Sequence, residues 1–287
     1  MNIKKHKFLR KKYNREFLLD CLLFSEFDRP IVTGQPFSYD FNGLFLPLSG
    51  QAAISVDQYK SQLCRGTLTF IRANQVREWI QVSSDFSGYL LILENEFIAS
   101  FFNDSLFIYR FQFFHSSSPP VLNVNENFLD LQTVIFEEIS AELHRLRDDS
   151  HHYIRALVYT VLIRINRIYI EEYGFSKQLF QDDTALRFRK LLEEHIRKKQ
   201  RVQDYATLLK LSRSRLNHVI QNALGKSVSD VIRERLLLEV ERALLYSDHS
   251  ISEIAYELGF SDTSNFTRFC KRYMGCTPVT FRTSRKK

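Results

Sequence analysis

A group of hydrogen-bonding and cationic side chains lies on one face of a helix that the sequence predicts near the end of the chain. Within 263–274, Phe266, Cys270 (or Phe269) and Tyr273 recur at helical spacing and should face inward. Five residues remain on the outer face: Thr263, Ser264, Thr267, Arg268 and Lys271. Their chemistry is that of binding a polar or anionic partner. The ordinary alternative is a helix face exposed to water, and this stretch alone does not decide between the two.

Two short helices joined by a tight turn would position this face. Ser250 and Glu253 form the S-x-x-E capping box of a helix start. Gly259 suits the left-handed conformation that ends a helix, and Ser261 or Asp262 can cap the next one. Two such helices, the second with a polar and basic face, describe a helix-turn-helix.

The same pattern occurs a second time upstream. The segment DYATLLKLSRSRLNHVIQNALG (204–225) aligns with EIAYELGFSDTSNFTRFCKRYMG (253–275), with one residue inserted in the turn. Between the two copies, 228–247 predicts a helix of about 30 Å at 1.5 Å per residue. This length is close to the ~34 Å that separates successive major-groove faces of duplex DNA. The duplication therefore predicts two helices that contact adjacent turns of one duplex.

Charge is distributed unevenly along the chain. Residues 182–287 hold 21 Lys/Arg and 13 Asp/Glu, a net charge of +8, whereas residues 1–181 carry −1. A localised basic surface is the expected footprint of phosphate contact. A membrane-surface role would require a basic amphipathic helix with a broad apolar face, and the sequence contains no such pattern.

The sequence shows no targeting or metal-binding signal. Its four cysteines include no close C-x-x-C pair. The first apolar run, FLLDCLLF, is too short for a signal peptide and contains Asp20. The most apolar helical stretch contains Arg155, Arg164 and Arg167, which disfavours a membrane span. We therefore expect a cytoplasmic protein that has no cofactor, no metal and no membrane contact.

The N-terminal part of the chain changes from strands to helices near residue 120. Short alternating stretches from Phe37 to Phe102 predict a sandwich or small barrel, and 128–173 predicts amphipathic helices. The second of these helices carries a wide apolar stripe: Ile154, Leu157, Val158, Val161, Leu162, Ile165 and Ile168. Such a stripe either covers the sheet or packs against the same helix of a second subunit. A linker at 173–183 would separate a domain of residues 1–180 from a domain of residues 181–287.

Residues 184–283 resemble the DNA-binding domain of the AraC/XylS family of bacterial transcriptional regulators. The resemblance is clearest in SISEIAYELGFSDTSNFTRFCKRYMGCTPVTFR (250–282) and covers about a third of the chain. It implies that the second helix of each motif enters the major groove. Carried over position by position, it assigns DNA contacts to Arg213, Ser214, Arg215, Asn217 and His218 in the first motif, and to Thr263, Ser264, Asn265, Thr267 and Arg268 in the second. Lys271 lies one turn beyond Arg268, towards the end of the helix, and we expect it to contact phosphate.

The chemistry of these residues agrees with that assignment. Arg pairs with guanine and Asn with adenine, while Ser and Thr adapt to several bases. Each side chain could instead contact only phosphate. Arg215, Asn217 and Arg268 are the strongest candidates for base contact.

Three positions depart from the family pattern. The family usually has Arg where this chain has His218, and Phe where it has Ile220 and Cys270. We expect His218 to alter what the first motif contacts. Ile220 and Cys270 should loosen core packing and leave the DNA contacts unchanged.

The segment LSGQAAISVDQYKSQLCRGTLTFIRANQVREW (48–79) resembles the small cupin-like barrel with which many of these regulators sense a ligand. Metal-binding cupin enzymes carry several histidines there, but none of the eight histidines lies between Lys7 and Phe114. Arg77 occupies a place where relatives often have histidine. A metal-dependent enzyme is therefore disfavoured. The 25 Phe residues either form core or line an apolar effector pocket.

The resulting expectation is an α+β chain with a cupin-like β-barrel and dimerisation helices, followed by an all-α domain with two helix-turn-helix motifs. Its expected function is sequence-specific regulation of transcription. The protein would bind double-stranded DNA as a homodimer and recruit RNA polymerase as an activator, with or without a small-molecule effector. Two alternatives stay open. One is a ligand-binding or catalytic cupin with an accessory DNA-binding domain, and the other is a regulator whose N-terminal half serves only to dimerise or bind a protein partner.

Overall fold

The computed structural model describes residues 3–6, 19–26, 32–57, 59–94, 106–115, 118–175 and 182–285. The chain divides into two compact units, one of Ile3–Phe175 and one that contains the described residues 182–285. Most of the predicted linker at 173–183 lies outside the described residues. No helix in the described ranges is long and apolar enough to cross a membrane.

Ten short strands lie in the described part of the N-terminal unit. Their bounds are β1 Lys4–His6, β2 Leu19–Leu23, β3 Phe37–Tyr39, β4 Asn42–Ser49, β5 Gln51–Val56, β6 Tyr59–Cys64, β7 Thr67–Ile71, β8 Val76–Val82, β9 Ser87–Leu93 and β10 Val121–Asn123. The alternation that predicted strands is clearest in β5, where Ala52, Ile54 and Val56 are buried and the residues between them are not. This period of two places one face of the strand toward the core.

The strands form two five-stranded sheets, in the orders β1-β3-β8-β5-β6 and β10-β7-β4-β9-β2. The named strands pair antiparallel, except that β1 runs parallel to β3. Among the described strands, no ladder joins an edge of one sheet to the other. The α+β architecture is therefore confirmed, but the described strands form two separate sheets and no closed barrel.

Aromatic side chains from both sheets fill the space between them. Trp79 and Phe45 each contact the ring of Phe86, with centroids 5.9 and 5.4 Å apart. A cavity between the sheets has a volume of about 20 Å³ and is lined mostly by apolar side chains, together with Thr69 and Arg77. That volume holds about one water molecule. Phe37, Phe45 and Trp79 are buried in the core and also line this cavity, so the two roles that the sequence left open for the aromatic residues both stay open.

Arg77 is almost fully buried and acts as a hydrogen-bond donor inside the first unit. Its guanidinium donates to the carbonyl oxygens of Phe70 and Gln75, at 3.2 and 3.1 Å, and to Oε1 of Gln75 at 2.9 Å. A buried polar group is tolerated when it is hydrogen-bonded in this way. Arg77 thus holds the chain between β7 and β8 in place.

Within the described residues, two α-helices follow the strands of the N-terminal unit: α1 Glu126–His144 and α2 Ser150–Tyr173. Asn125 caps α1 by accepting a hydrogen bond from the amide of Phe128. Helix α2 packs against α1 and against the short turn Gln112–Phe114, and α1 packs on β2 and β9. Most of the apolar stripe of α2 is buried by these contacts within one chain: Ile154, Val158, Val161, Leu162 and Ile165. The stripe therefore belongs to the core of the unit.

All regular structure in the described residues 182–285 of the C-terminal unit is helical. Its elements are α3 Asp183–His195, α4 Val202–Leu208, α5 Arg213–Leu224, α6 Val228–Tyr246, α7 Ile251–Glu257, α8 Thr263–Met274 and α9 Pro278–Arg285. Side chains of Ser212, Ser227 and Asp262 cap α5, α6 and α8. The predicted pairs α4–α5 and α7–α8 and the connecting helix α6 are all present.

The buried stripe of α2 generates a test by matched substitutions. Ile165→Ala should lower the free energy of unfolding by about 2–5 kcal/mol, because it leaves a cavity in the core. Ile80→Ala, at a side chain that is 47% exposed, should cost less than about 1 kcal/mol. Urea denaturation followed by fluorescence of Trp79, the one tryptophan of the chain, reports on this unit. Equal losses would contradict the placement of the stripe in the core.

Candidate nucleic-acid interface

The second helix-turn-helix begins at a complete capping box. Ser250 Oγ accepts from the amide of Glu253 at 3.2 Å, and Oε2 of Glu253 accepts from the amide of Ser250 at 2.7 Å. Together they satisfy two of the amides that a helix start leaves unpaired. Gly259 then ends the helix at φ 75°, a conformation that glycine adopts without strain. These local rules place α8 directly after a tight turn.

Helix α8 buries one face and exposes the other, as its sequence predicts. Phe266 and Cys270 are fully buried, and the ring of Phe260 packs against Phe266 and Phe269 with centroids 5.0 and 5.3 Å apart. Of the predicted contact residues, Ser264, Asn265, Arg268 and Lys271 are exposed, whereas Thr263 and Thr267 are half-buried. The structure thus brings all six residues to the surface of one motif.

Helix α5 has the same organisation in the first motif. Leu216, Val219, Ile220 and Ala223 are buried. The predicted contact residues are all exposed: Arg213, Ser214, Arg215, Asn217 and His218. Ile220 is fully buried, so the departure from the family's usual Phe leaves an apolar core position.

Some of the predicted contact residues form hydrogen bonds within the domain. The amide oxygen of Asn217 accepts from the backbone N–H of Val228, 3.1 Å away, at the start of α6. His218 and Asn222 are joined through their side-chain nitrogens at 3.1 Å. The amide nitrogen of Asn265 donates to Ser261 and Asp262 in the turn before α8, at 2.7 Å each. Asn217 and Asn265 therefore stabilise helix starts in this conformation.

The cationic side chains on the two outer faces differ from these amides. Among the described residues, no hydrogen bond or ion pair joins the side chain of Arg213, Arg215, Arg268 or Lys271 to another group. Arg268 attracts Asp262 electrostatically, although the pKa of Asp262 is lowered chiefly by its hydrogen bond from the backbone N–H of Asn265. Exposed positive charge that no carboxylate hydrogen-bonds favours binding of an anionic ligand such as a phosphate backbone.

A buried carboxylate holds the connecting helix α6 to the rest of the unit. Glu239, only 5% exposed, accepts from Arg235 at 2.8 Å, from Arg242 at 3.3 Å and from Arg197 at 2.7 Å. Arg235 also pairs with Glu193 of α3 at 2.8 Å. Burial alone would raise the pKa of Glu239, but the three arginine charges outweigh burial and lower it to about 2. The carboxylate is therefore ionised throughout the neutral range.

Reasoning from sequence missed this cluster. The i, i+4 spacing of Arg235 and Glu239 was the available signal. Arg197 is separated from Glu239 by 42 residues along the chain, so no local pattern could reveal that it completes the site.

The described residues contain no group of three or more His, Cys, Asp or Glu side chains that could hold a metal ion. The arrangement offers exposed cations, hydroxyls and amides on two similar helices, which are groups for binding. The site thus defines a class: a tandem helix-turn-helix domain with two outward-facing second helices.

Comparison with known proteins agrees with that class. Residues 205–284 match the family described as a helix-turn-helix domain. The chain is 33% identical over 92 residues to the HTH-type transcriptional regulator ExsA of Pseudomonas aeruginosa, covering 32% of this chain and 33% of ExsA. It is 29% identical over 94 residues to the HTH-type transcriptional activator RhaS of Salmonella schwarzengrund, covering 33% of this chain and 34% of RhaS. These matches span about a third of each relative.

A longer and weaker similarity extends into the N-terminal unit. The Msm operon regulatory protein of Streptococcus mutans is 22% identical over 251 residues, which cover 82% of this chain and 81% of that protein. The matched segment, residues 205–284, is similar to the helix-turn-helix part of these transcriptional regulators. Each of the three relatives is named as a regulator.

The shifted pKa of Glu239 predicts how stability depends on pH. A carboxyl whose pKa is lower in the folded state stabilises the fold above its ordinary value of 4.5 and loses that effect as the pH falls toward about 2. Glu239→Gln should cost about 3–5 kcal/mol at pH 7, because the substitution removes the carboxylate charge that Arg197, Arg235 and Arg242 share. The gap between wild type and variant should narrow steadily below pH 4.5. Urea denaturation followed by far-UV circular dichroism measures both quantities.

The matched control is Glu194→Gln on the exposed surface of α3. Its free energy of unfolding should stay close to that of wild type, and the difference between the two should not change as the pH falls. A Glu239→Gln gap that stays constant from neutral pH down to pH 2 would contradict the assignment.

Proposed function

We propose that the protein regulates transcription by binding specific sites in double-stranded DNA. Helices α5 and α8 would each enter the major groove. The observation that carries this proposal is the repeated motif whose second helices expose cations that no carboxylate hydrogen-bonds among the described residues. The same unit holds all of the chain's excess positive charge, which favours attraction to a phosphate backbone.

The exposed residues on α5 and α8 would divide the work of binding. Arg215 and Arg268 are the first candidates for paired hydrogen bonds to guanine. Lys271, one turn beyond Arg268, would contact phosphate. The remaining contact residues are Arg213, Ser214, Asn217, His218, Thr263, Ser264, Asn265 and Thr267. Asn217 and Asn265 would have to give up or share their present hydrogen bonds to contact a base, so we place both behind the arginines.

We assign the two functions of such a regulator to different parts of the chain. Residues 181–287 would bind DNA, and residues 1–180 would form a cupin-like regulatory and dimerisation domain. Two-sheet jelly rolls, which include cupins, have the layered arrangement seen in the first unit. The cavity of about 20 Å³ between the sheets would have to enlarge to admit an organic effector, since it holds about one water molecule.

We also propose that the protein activates transcription through RNA polymerase in the bacterial cytoplasm. The similarity to RhaS, whose name describes an activator, supports this direction. A reporter gene placed behind a bound promoter should therefore be expressed more strongly with the protein than without it. Reduced expression would instead make the protein a repressor.

The DNA contacts can be tested by two substitutions on α8. Arg268→Ala should cost about 1–3 kcal/mol at a cognate duplex and relax discrimination at one base pair, because a guanine contact is lost. Lys271→Ala should weaken binding to all duplexes alike and lower the salt slope by about one unit, because one phosphate contact is lost. Fluorescence anisotropy with cognate and single-mismatch duplexes at two salt concentrations measures both effects. Identical losses on every duplex would remove Arg268 from the candidate base contacts.

A homodimer through α1 and α2 is the second testable part of the proposal. The apolar stripe of α2 is used within the chain, so the interface would have to come from the exposed apolar side chains on these helices. Leu131 and Val134 on α1 are 56% and 54% exposed, and Tyr153 and Tyr159 on α2 are 44% and 42% exposed. Large apolar side chains on a surface favour association with a partner.

Sedimentation equilibrium should therefore find a dimer of the full chain, and Leu131→Glu should shift it toward monomer by placing a charge in an apolar interface. Leu208→Glu is the matched control, because Leu208 is a 41% exposed leucine in the C-terminal unit. A wild-type protein that stays monomeric, or a dimer that both variants leave intact, would exclude this interface.

A further inference from the structure

The turn between α3 and α4, residues 196–201, contacts both helix-turn-helix motifs. We name this segment the bridging turn. On the side of the first motif, the buried hydroxyl of Tyr205 in α4 donates to the carbonyl oxygen of Lys199 at 2.7 Å. The backbone N–H of Arg201 donates to Asp204 Oδ2 at 3.1 Å and thereby caps α4. The turn is thus fixed to the start of the first motif.

The same turn reaches the second motif at the bend between α7 and α8. The side-chain amide of Gln200 donates to the carbonyl oxygen of Leu258. Gly259 lies so close that a Cβ there would be 2.8 Å from the carbonyl oxygen of Arg197 and 3.3 Å from Nε2 of Gln200. Only a residue without a side chain permits this approach, so the glycine serves the contact as well as its own positive φ.

A third contact joins the bridging turn to the helix between the motifs. Arg197 Nε pairs with Glu239 Oε2 at 2.7 Å, and Glu239 lies in the second half of α6. The bridging turn therefore contacts three consecutive parts of the unit: the first motif, the connecting helix and the bend of the second motif.

These contacts matter because α6 alone fixes the distance between the two motifs better than the angle between them. Its 19 residues make a rod of about 28 Å at 1.5 Å per residue. Helices α7 and α8 follow α6 through the short segment 247–250, and the guanidinium of Arg233 in α6 lies 5.0 Å from the ring centroid of Tyr273 in α8. The bridging turn adds an attachment at the bend between α7 and α8, through Gln200 and Leu258.

We infer that the bridging turn sets the spacing and rotation between α5 and α8, so that Gln200 and Arg197 are positioning residues that determine which half-site spacing the protein accepts. This inference rests on the proposed function, because it requires that both helices contact one duplex. One inserted base pair moves a half-site by about 3.4 Å and rotates it by roughly 35°. A domain with fixed helices must reject that insertion, whereas a domain with a loose second motif can follow it.

The test begins with a cognate site selected from random-sequence duplexes by the full-length wild-type protein. Binding is then measured to that site, to each half-site alone and to versions with one base pair inserted or deleted between the halves. The variants are Gln200→Ala and Arg197→Ala. Gln200→Met fills similar space without donating a hydrogen bond, so it separates loss of the bond from loss of packing. Gln203→Ala is the control, because the side chain of Gln203 bonds to Thr207 within its own helix.

Wild type and Gln203→Ala should lose about tenfold or more in affinity on insertion or deletion, since two linked contacts gain from each other only when the geometry fits both. The three bridging-turn variants should bind isolated half-sites as wild type does. They should bind the native full site about tenfold more weakly and lose only about twofold to threefold further on insertion. Circular dichroism confirms that each variant is folded.

The outcomes separate the inference from the proposed function. A selection that yields no specific duplex overturns both. If the selection yields a specific two-part site, but all variants lose as much affinity as wild type when one base pair is inserted or deleted, the inference alone is overturned. Variants that lose affinity equally for half-sites and for all spacings would show that Gln200 and Arg197 act only through stability, which also overturns it.

Discussion

The C-terminal unit depends on the neutralisation of one buried carboxylate, that of Glu239, by arginine side chains. Glu239 is removed from water on the inner side of α6, and an isolated charge in that position would be costly. Arg235, Arg242 and Arg197 neutralise it from α6 itself and from the turn after α3. The arginine guanidinium is suited to this role because it stays charged and donates several hydrogen bonds in fixed directions. The pairing thus gives the connecting helix a defined place.

The same residue type serves two different purposes in this small unit. Arginines around α6 have carboxylate partners in Glu193, Glu239 and Asp230. The arginines at the starts and along the outer faces of α5 and α8 have no such partner among the described residues. The internal pairs are satisfied by the fold, and Arg213, Arg215, Arg268 and Lys271 add positive charge to the outward faces of α5 and α8. A binding surface whose supporting helices are already fixed loses less entropy when it meets a ligand.

The sequence predicts local features of this chain better than long-range ones. Capping residues such as Ser250 and Asp262 are recognisable because a helix start is satisfied within a few residues. The duplication of the motif is visible for the same reason. The pairing of Arg197 with Glu239 and the approach of Gly259 to residue 197 join positions far apart in the chain, so no local pattern marks them. Tertiary packing likewise decides two features that the local sequence does not: the arrangement of the strands in two sheets, and the burial of Ile154 and Val158 within one chain. Asn217 shows that residue type alone does not predict the role of a side chain. An asparagine suits a base contact, but the amide oxygen of Asn217 accepts a hydrogen bond from the backbone N–H of Val228.

The central claim is that α5 and α8 both contact base edges in the major groove of one duplex. Methylation protection of guanine N7 atoms tests it most directly, because N7 lies in the major groove and is shielded only by groups that enter it. With the full-length protein on its selected site, two clusters of protected guanines should appear on one face of the duplex, with centres about 10–10.5 base pairs apart. A single cluster, or binding that leaves every N7 reactive, would contradict the claim.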